Sequence, residues 1–398
     1  MRVIAWFFDK NEPAAPSPKK GGTLEKHMGN LRATGYGAVA PALDAPPVLP
    51  CGDAAKAIDW FDFSQTLNPL GTPASFANAM HRISRSNVTP TQERAARAQT
   101  PSLLARLYGV AAENVAVGAS ATDVLTAVAN AFEPRNVAVP VPSRATYEQC
   151  LGSAGHRIVE IPSPDGFIVP DPAMAHRLGM PFNAAMLANP AFPTSRLLAR
   201  QTLLDYLDAC DWVIVDERGI DLTLGGESMV GLLREHSNLI IIRSLTDAFS
   251  LPGLPLSCAL AHPAVARRIS LAVAKPTSAT LSAELAKLAA SEHHLDVTRE
   301  LLDTEIPWMQ CMLSLVPGIS IFPAEANFVM CSYRPGATMR LGAADAPDLV
   351  RQLQARGFLV RTLDRTPGVE PGTHFCVSVR TRPENERFVA VLREIVMR

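Results

Sequence analysis

Lysine is scarce in this chain: there are seven in 398 residues, and none between Lys56 and Lys275. The whole middle of the sequence therefore has no side-chain amine that could act as a nucleophile, and its cations are arginines. Charge of either sign is also in short supply as a net quantity. With 19% charged residues and a formal net charge of −1, no strong field draws the chain to nucleic acid or to an anionic membrane. The doublets Lys19-Lys20 and Arg267-Arg268 are isolated and read as solvated surface. Seven cysteines, an odd number without paired spacing, fit a reducing cytosol better than a disulfide framework. No apolar run approaches the length of a bilayer span, and the apolar start Met1–Phe8 is too short for a signal sequence before Asp9 and Lys10. A soluble, cytoplasmic protein is expected. Nucleophile elbow, Walker loop, dinucleotide fingerprint and paired CxxC are all missing. His293-His294 with Asp296 lacks metal-ligand spacing, so no metal is expected.

What is present is a large apolar reserve, 47% of the residues, enough for a big domain and a smaller one. Residues 1–55 are rich in Pro, Ala and Gly and read as an irregular extension or arm. Short apolar runs then alternate with helix-length segments at Val115–Val117, Val137–Val139, Ile158–Ile161, Ala185–Leu187, Val213–Val215, Leu239–Ile242 and Cys258–Leu260. That alternation predicts an α/β class with a mainly parallel sheet. A helical stretch over residues 278–315 is expected to lead out of the sheet domain. Strands near Phe328–Cys331 and Phe375–Val379 and a helix Glu384–Val396 then form a small α+β domain. The expected boundaries are 56–292 for the large domain and 293–398 for the small one.

The stretch around Leu239–Ile242 is the most informative. The buried run is followed by Arg243-Ser244-Leu245-Thr246-Asp247, then Pro252-Gly253-Leu254. This resembles the cofactor-lysine segment of fold-type I pyridoxal-phosphate enzymes of the class I/II aminotransferase superfamily, in particular the branch of histidinol-phosphate aminotransferase and threonine-phosphate decarboxylase. Further motifs recur in order. His27-Met28-Gly29-Asn30-Leu31 resembles the opening of the decarboxylases, and Asp62-Phe63-Ser64 with Asn68-Pro69-Leu70-Gly71 resembles the substrate arm. Gly118–Asp123 resembles the turn that cradles the cofactor phosphate, where a helix N-terminus offers free N–H groups. Asn189–Ser195 and Val215–Asp221 follow. The likeness covers roughly nine tenths of the chain and implies an aspartate-aminotransferase-like fold, with a mainly parallel seven-stranded sheet and a small α+β C-terminal domain, assembled as a homodimer.

The resemblance also exposes departures. Asp247 stands where the family has its cofactor lysine, and Pro255 where it has a phosphate-binding arginine. Phe192 replaces the asparagine that meets the cofactor phenol oxygen, Arg144 a ring-stacking aromatic, Thr66 the arm asparagine, Gly219 a tyrosine or phenylalanine, and Cys376 the substrate-carboxylate arginine. Retained or partly retained are Ser120, Thr122, Asp216 and Ser244, with Asp216 on the aspartate that pairs with the ring nitrogen. Losing three polar partners at roughly 1.5–3 kcal/mol each costs about 5–9 kcal/mol, or roughly 10³–10⁶ in affinity. No cofactor is expected; pyridoxal phosphate remains possible without an internal aldimine. Arg144, Arg218, Asp216 and Asp247 are expected to form salt bridges in the vacated pocket, or one arginine to face a new anion. Asp247 is the one catalytic candidate, as acid or base, and Lys275 the one substitute amine. The expected function is binding of a small amino-acid-like or phosphorylated metabolite, or support of a partner enzyme in biosynthesis. The alternative is a transaminase or decarboxylase with non-standard cofactor use or catalysis without the cofactor.

Overall fold

Seven strands from the middle of the chain carry the architecture: β1 (Val115–Gly118), β2 (Asn136–Val141), β3 (Arg157–Pro162), β4 (Ala184–Ala188), β5 (Trp212–Asp216), β6 (Leu239–Ser244) and β7 (Ser257–Ala261). The computed structural model describes residues 60–398 apart from 165, 178, 255, 291–292 and 336–341. The expected arm 1–55, the His27–Leu31 motif and Pro255 lie outside the described residues. The strands order β1-β7-β6-β5-β4-β2-β3, and each of the seven falls on an apolar run read from the sequence. Strands β2 to β6 pair in parallel, while β7 runs against both β6 and β1.

The central strands bury both faces, which is why they read as continuous apolar runs. Along β6, Leu239 and Ile241 join one core cluster while Ile240 and Ile242 join the other, and β5 alternates the same way with Val213 and Val215 against Ile214. One layer includes helices Pro90–Tyr108 and Ala279–Ala289; the other includes Ala121–Ala129 and Ala145–Ser153. At the end of β1, Gly118 is required by close packing. A Cβ there would fall 2.5 Å from Val124 Cγ2 and 2.7 Å from Val273 Cγ2.

The helical stretch expected over 278–315 is two helices, Ala279–Ala289 and His294–Ser314. The reason lies in their partners. Leu285, Ala286 and Ala289 pack into the large sheet's core, whereas Leu302, Ile306, Met309 and Leu313 pack into a separate C-terminal core. A single straight helix could not serve both. The C-terminal half contains an antiparallel sheet in the order Arg361–Thr362, His374–Ser378, Phe328–Tyr333, Ile319–Ile321, backed by helices Ala346–Gln354 and Arg382–Val396.

Residues 61–64 join this second core rather than the large sheet. Phe61–Asp62 pairs in parallel with Phe358–Leu359, and the Phe63 ring stacks on Phe388 at 4.7 Å. Among the described residues no helix is long and apolar enough to cross a membrane, and no group of three or more metal-binding side chains converges. His294 instead meets the Gly71 carbonyl at 3.0 Å, and Asp296 pairs with Arg299.

Because Phe63 is fully buried between two rings of the C-terminal core, Phe63→Ala should cost about 3–5 kcal/mol of unfolding free energy. Denaturant titration checks this; a loss below 1 kcal/mol would mean that residues 61–64 only rest on that core.

Candidate active site

The carboxyl ends of β1, β2, β5 and β6 and the turns that leave them bring the sequence-derived positions together, where open α/β sheets bind ligands. Asp216 is the last residue of β5 and is buried. Both its carboxylate oxygens are engaged by neighbours. Arg218 Nε donates to Oδ1 at 2.9 Å, and Arg218 Nη2 lies 2.7 Å from Oδ2. The Arg218 backbone N–H also donates to Oδ1 at 3.1 Å, and the Tyr147 hydroxyl donates to Oδ2 at 2.7 Å. Burial would raise the Asp216 carboxyl, but Arg218, Arg144 and the Tyr147 hydroxyl together outweigh it and hold the group below the usual carboxylate range. Tyr147 is pushed well above the ordinary phenol value by burial and by Asp216.

Two of the four charges expected to pair therefore do so. The other two do not. Asp247 sits in the short helix Leu245–Ala248 that follows β6, not in a bare polar turn. Its backbone carbonyl accepts from Asn68 N–H at 3.0 Å. Its half-buried carboxylate has no hydrogen-bond or ion-pair partner among the described residues. Burial raises its pKa; Arg218, Arg144 and Arg361 pull it down and Asp216 pushes it up, with a net result above the ordinary value. Arg144, at the N-terminus of helix Ala145–Ser153, places its guanidinium 4.3 Å from the centroid of Phe192. It makes no ion pair with Asp216 or Asp247.

Phe192 is itself buried in a small cluster with Phe328, Met330, Leu363 and Cys376. A second guanidinium, Arg361, lies 5.1 Å from the same ring and donates from Nε to the Ser64 carbonyl at 3.0 Å. Arg361 stands directly opposite Cys376 in the strand register. Burial pushes the Cys376 thiol up to about 12, against the fields of Arg361 and Arg144. Neither Arg361 nor the role of Tyr147 was visible in the sequence. Arg361 lies on a two-residue strand with no periodicity, and Tyr147 reaches Asp216 from a helix 69 residues earlier in the chain.

The remaining positions are occupied by structural duties. Ser120 caps helix Ala121–Ala129, accepting from Asp123 N–H at 3.1 Å and donating to Asp123 Oδ2 at 2.6 Å. Ala119 N–H is taken by the Ala274 carbonyl at 2.8 Å, and Thr122 is exposed. Ser244 accepts from Thr246 N–H and from the Ser257 hydroxyl. Thr66 offers its carbonyl to Asn327 Nδ2 at 3.1 Å, and Gly219 lies where a Cβ would touch Pro190. Lys275 is exposed and donates to the Ser270 carbonyl at 2.5 Å; burial, then Arg97, lower its pKa.

Residues 58–392 match the family described as aminotransferase class I and II. The chain belongs to that family. It is 27% identical over 345 residues to the threonine-phosphate decarboxylase of Salmonella typhimurium, covering 84% of this chain and 91% of that one. It is 26% identical over 316 residues to histidinol-phosphate aminotransferase 2 of Archaeoglobus fulgidus, covering 77% and 85%. Among solved structures, the histidinol-phosphate aminotransferase from Clostridium acetobutylicum superposes with a TM-score of 0.73 at 20% identity, over 84% of this chain and 98% of that one. The L-threonine-O-3-phosphate decarboxylase from Porphyromonas gingivalis gives 0.70 at 18% identity over the same shares. These place the large parallel sheet and the C-terminal domain in the aminotransferase fold.

Removing one member of a buried ion pair typically costs about 3–5 kcal/mol. Arg218→Met should therefore destabilise the protein by that amount, and Asp216→Asn added to it should recover part of the loss. Chemical unfolding of the single and double variants tests the pair; additive losses would refute it. Asp247 behaves oppositely. Its folded pKa lies above the unfolded value, so its ionisation destabilises the native state once pH exceeds the unfolded pKa. The penalty disappears as pH falls below that value. Asp247→Asn should raise stability at pH 7, with the advantage vanishing in acid. Thermal melts across pH give the comparison, and a constant or negative difference contradicts the assignment.

Proposed function

We propose that this family member has given up Schiff-base chemistry and binds a small amino-acid-like or phosphorylated metabolite, alone or in support of a partner enzyme of a biosynthetic pathway. The observation that carries the reading is the Arg218 guanidinium on both oxygens of Asp216. In the family that carboxylate serves the protonated ring nitrogen of pyridoxal phosphate, where it makes the ring an electron sink. Here a side chain of the same chain holds the place of that positive charge. The residues around it do not fit the cofactor either. Asp247 takes the lysine position and adds negative charge toward a phosphate ester. Phe192 offers no hydrogen bond to a phenol oxygen, and the Ser120 hydroxyl is committed to Asp123. A homodimer belongs to the same proposal.

A second reading keeps an amine-dependent enzyme, and one contact favours it. The Ala119–Ala274 hydrogen bond sets Lys275 one residue from the turn that resembles the phosphate cradle. A depressed amine pKa is also what a nucleophilic lysine needs. Catalysis by Asp247 without the cofactor is the third possibility, in line with its raised pKa.

One experiment separates the first reading from the second. On addition of pyridoxal phosphate, the purified protein should develop no visible aldimine band, and borohydride should leave its mass unchanged. An adduct mapped to Lys275 would overturn the proposal in favour of the second reading.

A further inference from the structure

A cavity of about 190 Å³ lies between the edge strand β1 and the helices Pro90–Tyr108 and Ala279–Ala289. Asp216, Asp247, Arg144 and Phe192 are not among its walls. It exists because small side chains meet there. Thr100 and Pro101 of the first helix and Ala279 and Ser282 of the second line it, and residues of that size do not fill the space in front of Val115, Val117 and Pro276. An empty hole of this kind lowers stability, because its lining loses packing contacts. The hydroxyl protons in the wall are already committed. Thr100 Oγ1 donates to the Ala96 carbonyl at 2.8 Å, and Ser282 Oγ donates to the Ser278 carbonyl at 2.8 Å. The part of an occupant that enters the hole is therefore apolar.

The rim is different. Arg97 and Lys275 both line the cavity, and both are exposed. Neither forms an ion pair with a described residue. Lys275 gives one proton to the Ser270 carbonyl at 2.5 Å, and Arg97 has no hydrogen bond or ion pair among the described residues. Burial, then the charge of Arg97, holds the Lys275 amine below its ordinary pKa. The acid one helical turn before Arg97 is spent elsewhere. Glu93 accepts from Ala279 N–H at 2.7 Å, from Thr280 N–H at 3.2 Å and from the Ser278 hydroxyl at 3.3 Å, so it caps the second helix. Two cations at the mouth of an apolar hole call for an acid head on a hydrocarbon body. We infer that this cavity binds a short-chain aliphatic monocarboxylate, its carboxylate between Arg97 and Lys275 and its chain against Pro101, Val115, Val117 and Ala279. Size limits the chain. An apolar cavity of about 150 Å³ accommodates benzene, so this one suits a chain of about six carbons. An amino acid or a dicarboxylate fits less well, because its second charged group would lose its hydration against the apolar wall. This site is separate from the binding reading above and does not depend on it.

The test is calorimetric titration of the purified chain with acetate, butanoate, hexanoate and 1-hexanol. Affinity should rise roughly fourfold per methylene from butanoate to hexanoate, and hexanoate should bind at least tenfold more tightly than 1-hexanol, which lacks the charge. Arg97→Gln and Lys275→Gln should each weaken hexanoate about fivefold or more, whereas Lys275→Arg, which keeps the charge, should retain most of the affinity. Ser282→Leu, which fills the cavity and leaves both cations in place, should abolish the dependence on chain length. Melting curves of each variant without ligand separate loss of binding from loss of folding. The inference is overturned by absence of hexanoate binding to the wild type at millimolar concentration. It is equally overturned if hexanoate binds no better than acetate or 1-hexanol, or if Ser282→Leu binds hexanoate as the wild type does.

Discussion

A carboxylate buried at the end of a central strand needs a positive partner, and how Asp216 finds one governs the rest of the site. A partner two residues away, Arg218, closes on it within a single turn, and the Tyr147 hydroxyl completes the coordination. Satisfaction of a buried charge is not optional, since an unpaired one would cost several kcal/mol. The compensating charge here is part of the same chain. The arginine pairing is local, while the Tyr147 bond ties it to helix Ala145–Ser153.

Other motif residues hold the frame. Arg243, from the most recognisable motif, is buried and directs Nη2 to both oxygens of Asp221 at 2.9 Å and Nη1 to Glu217 at 3.3 Å. It also lies 4.7 Å from the Tyr108 ring. Asn189 donates to the Glu227 carbonyl and accepts from Leu198 N–H. These residues tie β5, β6 and the turns after β4 and β5 together. Their bonds are architectural. Asp247, Phe192, Arg144 and Cys376, four of the seven positions expected to depart from the family pattern, take no part in those ties.

Legibility in the sequence followed the range of the interactions. All seven strands of the main sheet were readable, because burial on both faces leaves runs such as Leu239–Ile242 without polar interruptions. The division into Ala279–Ala289 and His294–Ser314 was not, because both halves are apolar at helical spacing and only their different partners separate them. The same held for Phe61–Asp62, whose partner strand lies nearly three hundred residues on. In the site, the pairing of Arg218 with Asp216 was foreseeable from adjacency. The failure of Arg144 to join them was not, since it turns on the Phe192 ring capturing the guanidinium. Arg361 escaped notice altogether, as nothing local marks a residue whose neighbours come from Ser64, Phe192 and Cys376.

A cation–π contact also explains why Arg144 can stay unpaired. A guanidinium over an aromatic face gains roughly 0.5–2 kcal/mol, which fixes its position without neutralising its charge. A salt bridge to Asp247 would have done both and closed the site. By seating Arg144 on Phe192, the chain keeps a positioned cation and a positioned anion apart in the same region, each short of a counter-charge. Arg144 and Phe192 thus act as one unit.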